Sequence, residues 1–223
     1  MPVLLVLRKV GEVEVNEPCF SIIVPAHNAS GFIRKCLDSI RSQSYPYYEL
    51  IVVCDNCTDD TAKICREEYK AKVIETDYGL DGLARNAGID AARNEWILFL
   101  DHDDWWLHEF VLQQIADALQ VHYAENIDML LFDFIWRGKR YHSQRQNGVV
   151  IAVWCKCWRK SFIGDVRFSD MPHWSDVGFM QKLWDKHPAY AFLDKPVYYY
   201  NYLMPGSISW QEKEGMIESY KGE

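Results

Sequence analysis

The sequence predicts an α/β fold: a mostly parallel central sheet with helices on both faces, followed by a half of mixed helix and strand order. Three observations predict it. Between residues 20 and 121, short β-rich apolar runs alternate with segments of helical periodicity. The runs are continuously apolar, as strands covered on both faces are. Polar clusters follow directly on three of them, at the carboxyl ends where open α/β sheets bind ligands.

The elements follow in order. Residues 1–18 carry an apolar run and then the alternation Val10, Glu12, Val13, Glu14, Val15, which reads as a short hairpin or an extra edge strand. Phe20–Val24 is the first strand of the sheet, stopped by Pro25. Asn28-Ala29-Ser30 offers helix-capping side chains, and Phe32, Ile33, Cys36, Leu37 and Ile40 then recur at helical spacing. Leu50–Val53 is the second strand, ending in Cys54-Asp55-Asn56. Thr58-Asp59-Asp60 caps a helix holding Ala62, Ile64, Cys65 and Tyr69. Strands at 72–75 and 96–100 flank a helix over 81–93, and a helix over 110–121 follows. Beyond about residue 125 the alternation weakens. Strands are expected at 129–134 and 149–153, a helix at 175–186 and an aromatic strand at 190–202. There are no repeats or low-complexity linkers, so residues 1–223 read as one domain.

Composition narrows the function classes. A chain of 223 residues, 49% hydrophobic, buries a core without disulfide staples. Its net charge of -8 argues against a general nucleic-acid binder. An acidic protein that binds an anionic small molecule needs a cation, a local Arg or a helix N-terminus at the site. Seven cysteines, several inside apolar runs, read as free thiols in a reducing compartment. Cys54 and Cys57 have C-x-x-C spacing, but Cys155 and Cys157 are too close together to complete the usual zinc knuckle. No apolar stretch has the length of a membrane span, and the apolar start precedes its positive charges, the reverse of a signal peptide. A cytoplasmic location is expected. Peripheral contact with the inner face of the membrane and homodimerisation stay open.

Four places carry chemistry. Asp101-His102-Asp103-Asp104 puts three carboxylates directly after a buried strand, where they repel one another unless a cation or donors are near. Mg²⁺ and Mn²⁺ bind through one or two carboxylates plus substrate phosphates, and a strand-end D-x-D suits that; the bland alternative is an acidic cap for the following helix. Asp55, after the second strand, can accept a hydrogen bond from a base N–H or simply form a turn with Asn56. Arg85 lies near a helix start, where a guanidinium fork and free amides suit a diphosphate; otherwise it is a solvated surface Arg. Asp176 opens an amphipathic helix holding Val177, Met180, Leu183 and Trp184, a position for a general base or for an ordinary N-terminal Asp. Asp165 and Asp170 are weaker rivals. Trp105, Trp106, Trp136, Trp154, Trp158 and Trp174 are expected to cluster around the acceptor side, most of them as core and rim packing, with Trp174, just before Asp176, as the expected sugar contact.

Four segments in order and at matching spacing carry a resemblance: Ser21-Ile-Ile-Val-Pro-Ala-His-Asn28; Glu49 to Asn56 with Thr58-Asp-Asp-Thr61; Gly82-Leu-Ala-Arg-Asn-Ala-Gly88; and Ile97-Leu-Phe-Leu-Asp-His-Asp-Asp-Trp105. Together they resemble the signature segments of family 2 glycosyltransferases, which have the GT-A fold. The resemblance covers roughly residues 20–120. It implies a nucleotide-diphospho-sugar donor, with a UDP-sugar first, a saccharide or lipid-linked saccharide acceptor, inversion at the anomeric carbon, and Mn²⁺ or Mg²⁺ as cofactor. Residues 20–120 then form the nucleotide-binding half and 121–223 the acceptor-binding half. Pro25 and His27 would flank the nucleobase, His27 replacing the family's usual Tyr, and Asn28 would belong to the same nucleotide-sugar-binding set. Asp55 would bind the base edge, Arg85 the base or diphosphate, Asp103 the ribose or metal, and Asp104 the metal. Asp176 would be the catalytic base, the second member of an acidic pair whose first is Ser175 here. Cys54 likewise stands where an acidic residue is usual, which leaves the nucleobase preference less defined.

Two other classes compete. A nucleotidyltransferase would use a similar sheet and metal but favours a Gly-rich loop after the first strand, and residues 24–31 hold only Gly31. A non-catalytic nucleotide-sugar-binding module would not need Asp103, Asp104 and Asp176 together. Pro205-Gly206-Ser207 is expected to be an acceptor loop that orders on binding.

Overall fold

The runs Phe20–Ala26 and Trp96–Leu100 are buried along their length and form the middle of the sheet, while the run at 72–76 is only partly buried. The computed structural model describes the backbone of residues 6–10, 13–145 and 148–202. A hairpin of β1 (Val6–Val10) and β2 (Val13–Glu17) forms its own two-stranded sheet, with Val10 opposite Val13. The main sheet starts with β3 (Phe20–Ala26), buried at all seven positions. There follow α1 (Ile33–Arg41), β4 (Tyr48–Asp55), α2 (Thr61–Glu67), β5 (Lys72–Thr76), α3 (Asp81–Ala91), β6 (Trp96–Phe99), β7 (Trp105–Trp106) and α4 (Val111–Val121). The second half adds β8 (Met129–Trp136), β9 (Lys139–Tyr141), the short pair β10 (Gln144–Arg145) and β11 (Gly148–Val149), then β12 (Lys156–Arg159), α5 (Lys160–Ile163), α6 (Ser175–Trp184) and β13 (Tyr190–Tyr200).

The strand order of the main sheet is β5-β4-β3-β6-β12-β8-β13-β7, with β9 beside β8. β3, β4, β5 and β6 are mutually parallel. β12 runs antiparallel to both β6 and β8, and β13 runs parallel to β8. The carboxyl ends of β3, β4, β6, β8 and β13 therefore share one edge. The chain leaves β3 toward β4 and returns to β3's other flank at β6, which opens a crevice between the two strand ends.

Local sequence explains the packing. In α1, Ile33, Cys36, Leu37 and Ile40 at i, i+3, i+4 and i+7 are the buried positions. α3 lies so close on β3 that a Cβ at Gly88 would stand 2.3 Å from Ile23 Cγ2, so only glycine fits there.

Several expectations are corrected. β3 runs through Pro25 to Ala26; its pairing with β6 ends at Ile23, so Pro25 has a free flank where a missing N–H is tolerated. Asn28, Ser30 and Asp60 make no side-chain cap on α1 or α2. No strand occupies 149–153 beyond Val149. Val153–Cys155 is a buried 3₁₀ turn, and the missed central strand is β12. β12 opens with Lys156, which is fully buried; its ammonium donates to the carbonyls of Val150 and Ala152, 2.6 Å each. The tryptophans do not form one cluster: Trp158 is buried against Phe179, and Trp105 stacks on Tyr199. All seven cysteines are free thiols, and β4 and β12, which hold Cys54 and Cys157, are separated by β3 and β6. Among the described residues no helix is long and apolar enough to cross a membrane. Pro205-Gly206-Ser207 lies outside the described residues.

Candidate active site

The loops after β3 and β4 are tied to each other by their polar side chains. Asn28, in the left-handed region at φ 44°, accepts from the Thr58 amide at 2.8 Å. The Ser30 amide donates to Asp59, and the Ala29 amide to the Thr61 hydroxyl. Hydrogen bonds from Thr61 and Ser30 outweigh desolvation and hold the Asp59 carboxyl below its usual range. Side chains that look like helix caps thus join two strand ends. His27 is exposed beside them; its Nδ1–H donates to the Asp55 carbonyl at 2.7 Å and its Nε2 accepts from the Asn28 amide at 3.2 Å. Across the crevice the His102 ring donates to the carbonyl of buried Pro25 at 2.8 Å.

Asp55 is buried at the end of β4. Its Oδ1 accepts from Thr76 Oγ1 at 2.9 Å and the Tyr78 amide at 2.7 Å, and its Oδ2 from the Leu80 amide at 3.0 Å. It fastens the 76–80 loop, and Tyr78, 48% exposed, stands on that loop.

The centre of the site is Arg85 on α3, 4% exposed. Its guanidinium donates to Asp81 in the first turn of the same helix and to Asp101 Oδ1 at 2.7 Å, and lies 3.8 Å from Asp176 Oδ1. The Arg85 Nε is buried without a partner. A single cation therefore gathers carboxylates from the α3 start, the β6 end and the α6 start. Burial opposes the charge on Arg85, but Asp101, Asp81 and Asp176 outweigh it and keep it a cation. Gly82 makes the approach of α3 to α6 possible, since a Cβ there would meet Ser175 Cβ at 2.9 Å.

The carboxyls respond differently to these surroundings. Burial works against the ionised form of Asp81, yet Arg85 prevails and holds it low. Asp176 is pushed up to about 6: burial raises it, Arg85 pulls it back, and Asp101 and Asp81 add to the rise. The Val153 amide donates to its other oxygen at 3.3 Å. Asp103 is partly exposed and also raised, by burial first, with His102 opposing and Asp101 adding.

Asp104 departs from expectation. It is 1% exposed and turned inward: the Tyr198 hydroxyl donates to Oδ2 at 2.5 Å and the Asn201 amide to Oδ1 at 2.7 Å. Burial drives its carboxyl well above the usual range, and Asp103 and Asp101 add to it. A carboxyl with both oxygens taken inside the fold is not placed as a metal ligand; of the three clustered carboxyls, Asp101 and Asp103 are the ones left partly exposed. Arg85 departs too: its two terminal nitrogens face carboxylates, not a space for a diphosphate. Asp81 and Tyr198 were not singled out from sequence, and Asp101 was read only as one of three clustered carboxylates, with no role of its own. The signal for Asp101 was present, as the first member of a D-x-D with Asp103; nothing local marked Tyr198.

Trp174 is the N-terminal flank of α6, in the left-handed region at φ 62°. A bulky residue there is a strained choice, and such choices gather at functional sites. It is half-buried, directly before Ser175 and Asp176. Asp165 and Asp170 have no contact with the Arg85 cluster among the described hydrogen bonds and ion pairs.

A sheet with this strand order, its ligand crevice edged by acidic strand ends, is that of the GT-A nucleotide-sugar enzymes. The match to known proteins makes the class specific: residues 21–187, about three quarters of the chain, match Glycosyl transferase family 2, and the chain belongs to that family. It is 28% identical to glycosyltransferase GlyA of Streptococcus pneumoniae over 86% of its length, which is 32% of GlyA. The structure of Staphylococcus aureus TarS residues 1–349 in complex with UDP-GlcNAc superposes with a TM-score of 0.71 and 27% identity, covering 82% of this chain and 58% of that one. The mannosyltransferase PcManGT of Pyrobaculum calidifontis, in complex with GDP-Man and Mn²⁺, shares the fold at a TM-score of 0.65 and 17% identity, over 89% of this chain and 61% of that one. The chain thus spans between about a third and three fifths of these proteins.

Proposed function

We propose that the chain transfers a sugar from a nucleotide-diphospho-sugar, a UDP-sugar first, to an acceptor hydroxyl with inversion. One observation carries the reading: Arg85 draws Asp101 and Asp176 to one crevice, with Asp103 two residues from Asp101. Asp81, Asp101, Asp103 and Asp176 outnumber that guanidinium four to one. A local excess of negative charge with hard oxygen donors fits Mn²⁺ or Mg²⁺, held by Asp103 with Asp101. When bound, such an ion neutralises the departing diphosphate. The TarS complex with UDP-GlcNAc supports the UDP preference, and the PcManGT complex with Mn²⁺ shares only the fold.

The chain's own residues do the rest. Pro25, His27 and Asn28 line the base side of the crevice, and Asp55 holds the 76–80 loop against it. Asp176 takes the proton of the acceptor hydroxyl as that oxygen attacks the anomeric carbon from the face opposite the diphosphate. Its raised carboxyl suits a base working near neutrality. Trp174, directly before Ser175 and Asp176, is the proposed sugar contact. A second dense ligand set, Asp133, His142 and Asp194, lies elsewhere and is spanned by the Arg140 guanidinium, so it does not compete for this role.

The test is sugar transfer by the intact protein with added Mn²⁺. Asp176→Asn is expected to lower kcat about 10²–10⁴-fold with donor affinity unchanged. Equal kcat in the variant would remove Asp176 from the reaction.

A further inference from the structure

A basic and aromatic hairpin stands at the far end of the crevice edge. Residues 134–164 contain seven Lys or Arg and no Asp or Glu, in a chain with 32 acidic residues. Within this stretch the tip is the two-residue turn Arg137-Gly138 between β8 and β9, where Trp136 pairs with Lys139. Both turn residues have positive φ, 51° and 70°, the backbone of a type I′ turn. Asn or Gly is the usual occupant of the first position, so Arg137 is held there against its backbone preference. Arg140 is neutralised by Asp133 and Asp194. Arg137 and Lys139 are exposed, and neither forms an ion pair among the described residues.

The hairpin is joined to the catalytic end by an unbroken run of rings. The Val153–Cys155 turn, whose Val153 amide holds Asp176, carries Trp154. Trp154 lies flat on Tyr198 and Tyr200 at 4.4 and 5.1 Å. Tyr200 meets Tyr202 at 6.0 Å, and Tyr202 meets Trp136 edge-on at 5.2 Å. The Arg137 guanidinium covers both Trp136 and Tyr202, at 5.2 and 4.6 Å. The Trp136 indole N–H is buried without an acceptor. β8 and β13 end on the same edge as β3, β4 and β6, so the rings lie on the side of Asp176 away from the nucleotide crevice.

We propose that Arg137 and Lys139, with Trp136 and Tyr202, form a subsite for an anionic acceptor, a polyol- or saccharide-phosphate chain. This rests on the transfer reaction proposed above. Rings stack on the C–H faces of the acceptor units while the two cations take a phosphate of the chain.

The test uses the Arg137→Gly/Lys139→Gln variant, because glycine relieves the positive-φ position and the hairpin keeps its turn. A polyol-phosphate hexamer and neutral maltohexaose are compared, by titration calorimetry without donor and as acceptors with donor. Wild type is expected to bind the hexamer at least tenfold more tightly than maltohexaose at low salt. The variant loses that preference with donor KM and donor hydrolysis unchanged, and 0.5 M salt erases the difference. Equal affinity of wild type for both chains, or an unaltered preference in the variant, overturns the proposal. So does binding of wild type, but not variant, to phosphatidylglycerol over phosphatidylcholine vesicles with acceptor affinity unmoved, which would make the hairpin a membrane contact. If wild type binds the hexamer but turns over no nucleotide sugar, the transfer reading fails and the subsite survives.

Discussion

At the scale of single residues, Arg85 decides the electrostatics of the crevice. Removing it leaves Asp81, Asp101 and Asp176 together without a cation. Arg85→Ala is expected to cost about 3–5 kcal/mol at pH 7, read by urea unfolding, and less at pH 4.5, where protonation relieves the repulsion. Asp176 makes the opposite trade. Its folded carboxyl titrates at about 6, above its ordinary value of 3.8, so the fold disfavours the ionised form at higher pH. That cost is absent below the unfolded value and complete above the folded one, about 3 kcal/mol at pH 8. Asp176→Asn should therefore melt several degrees higher at pH 8 while losing activity, a gain that shrinks toward pH 4. On the proposed role of Asp176 as base, kcat/KM of the wild type should rise tenfold per pH unit below about 6 and level off above it, since a base works deprotonated. A profile flat from pH 5 to 8 would take this role from Asp176.

Elements carry the next set of constraints. Asp55 holds the 76–80 loop through two amides and a hydroxyl. Asp55→Ala should speed amide exchange at Tyr78 and Leu80 roughly 10–100-fold, from the loss of charge-assisted bonds of about 1.5–3 kcal/mol, and raise the donor KM. Unchanged exchange would mean the loop is held by something else. The first half of the fold was legible in sequence because its strands are continuous apolar runs and its helices keep a 3.6-residue stripe, as in β3 and α1. The second half was legible in part: the strand expected at 129–134, the helix at 175–186 and the aromatic strand at 190–202 are β8, α6 and β13, whereas the short strands were missed. β12 is four residues long and begins with a lysine whose burial depends on carbonyls of a turn formed only in the fold. β7 has two residues and exists only because β13 pairs with it. The site was legible as far as its strand ends reached. Asp101, Asp103 and Asp104 were visible as a cluster, but which of them turns inward is set by Tyr198, 94 residues away. Arg85 was found for its position on α3, yet its partners come from β6 and α6, which no local pattern joins.

At the scale of the whole molecule, charge governs the proposed binding. A protein with a net charge of -8 gathers carboxylates at the crevice proposed for the anionic donor, and Arg85 offsets only part of them. A divalent cation and the nucleotide should then bind as partners, each poor without the other. Melting of the full chain with UDP, with and without Mn²⁺, in wild type and in Asp103→Asn, tests this most directly. UDP at about a hundred times its Kd stabilises by about 2.7 kcal/mol, a rise of roughly 5–10 °C for a chain of this size. That rise is expected for wild type with Mn²⁺ and UDP together, and neither for UDP alone nor for Asp103→Asn. An equal rise without the metal, or in Asp103→Asn, would contradict the claim that these carboxylates hold the ion that carries the donor.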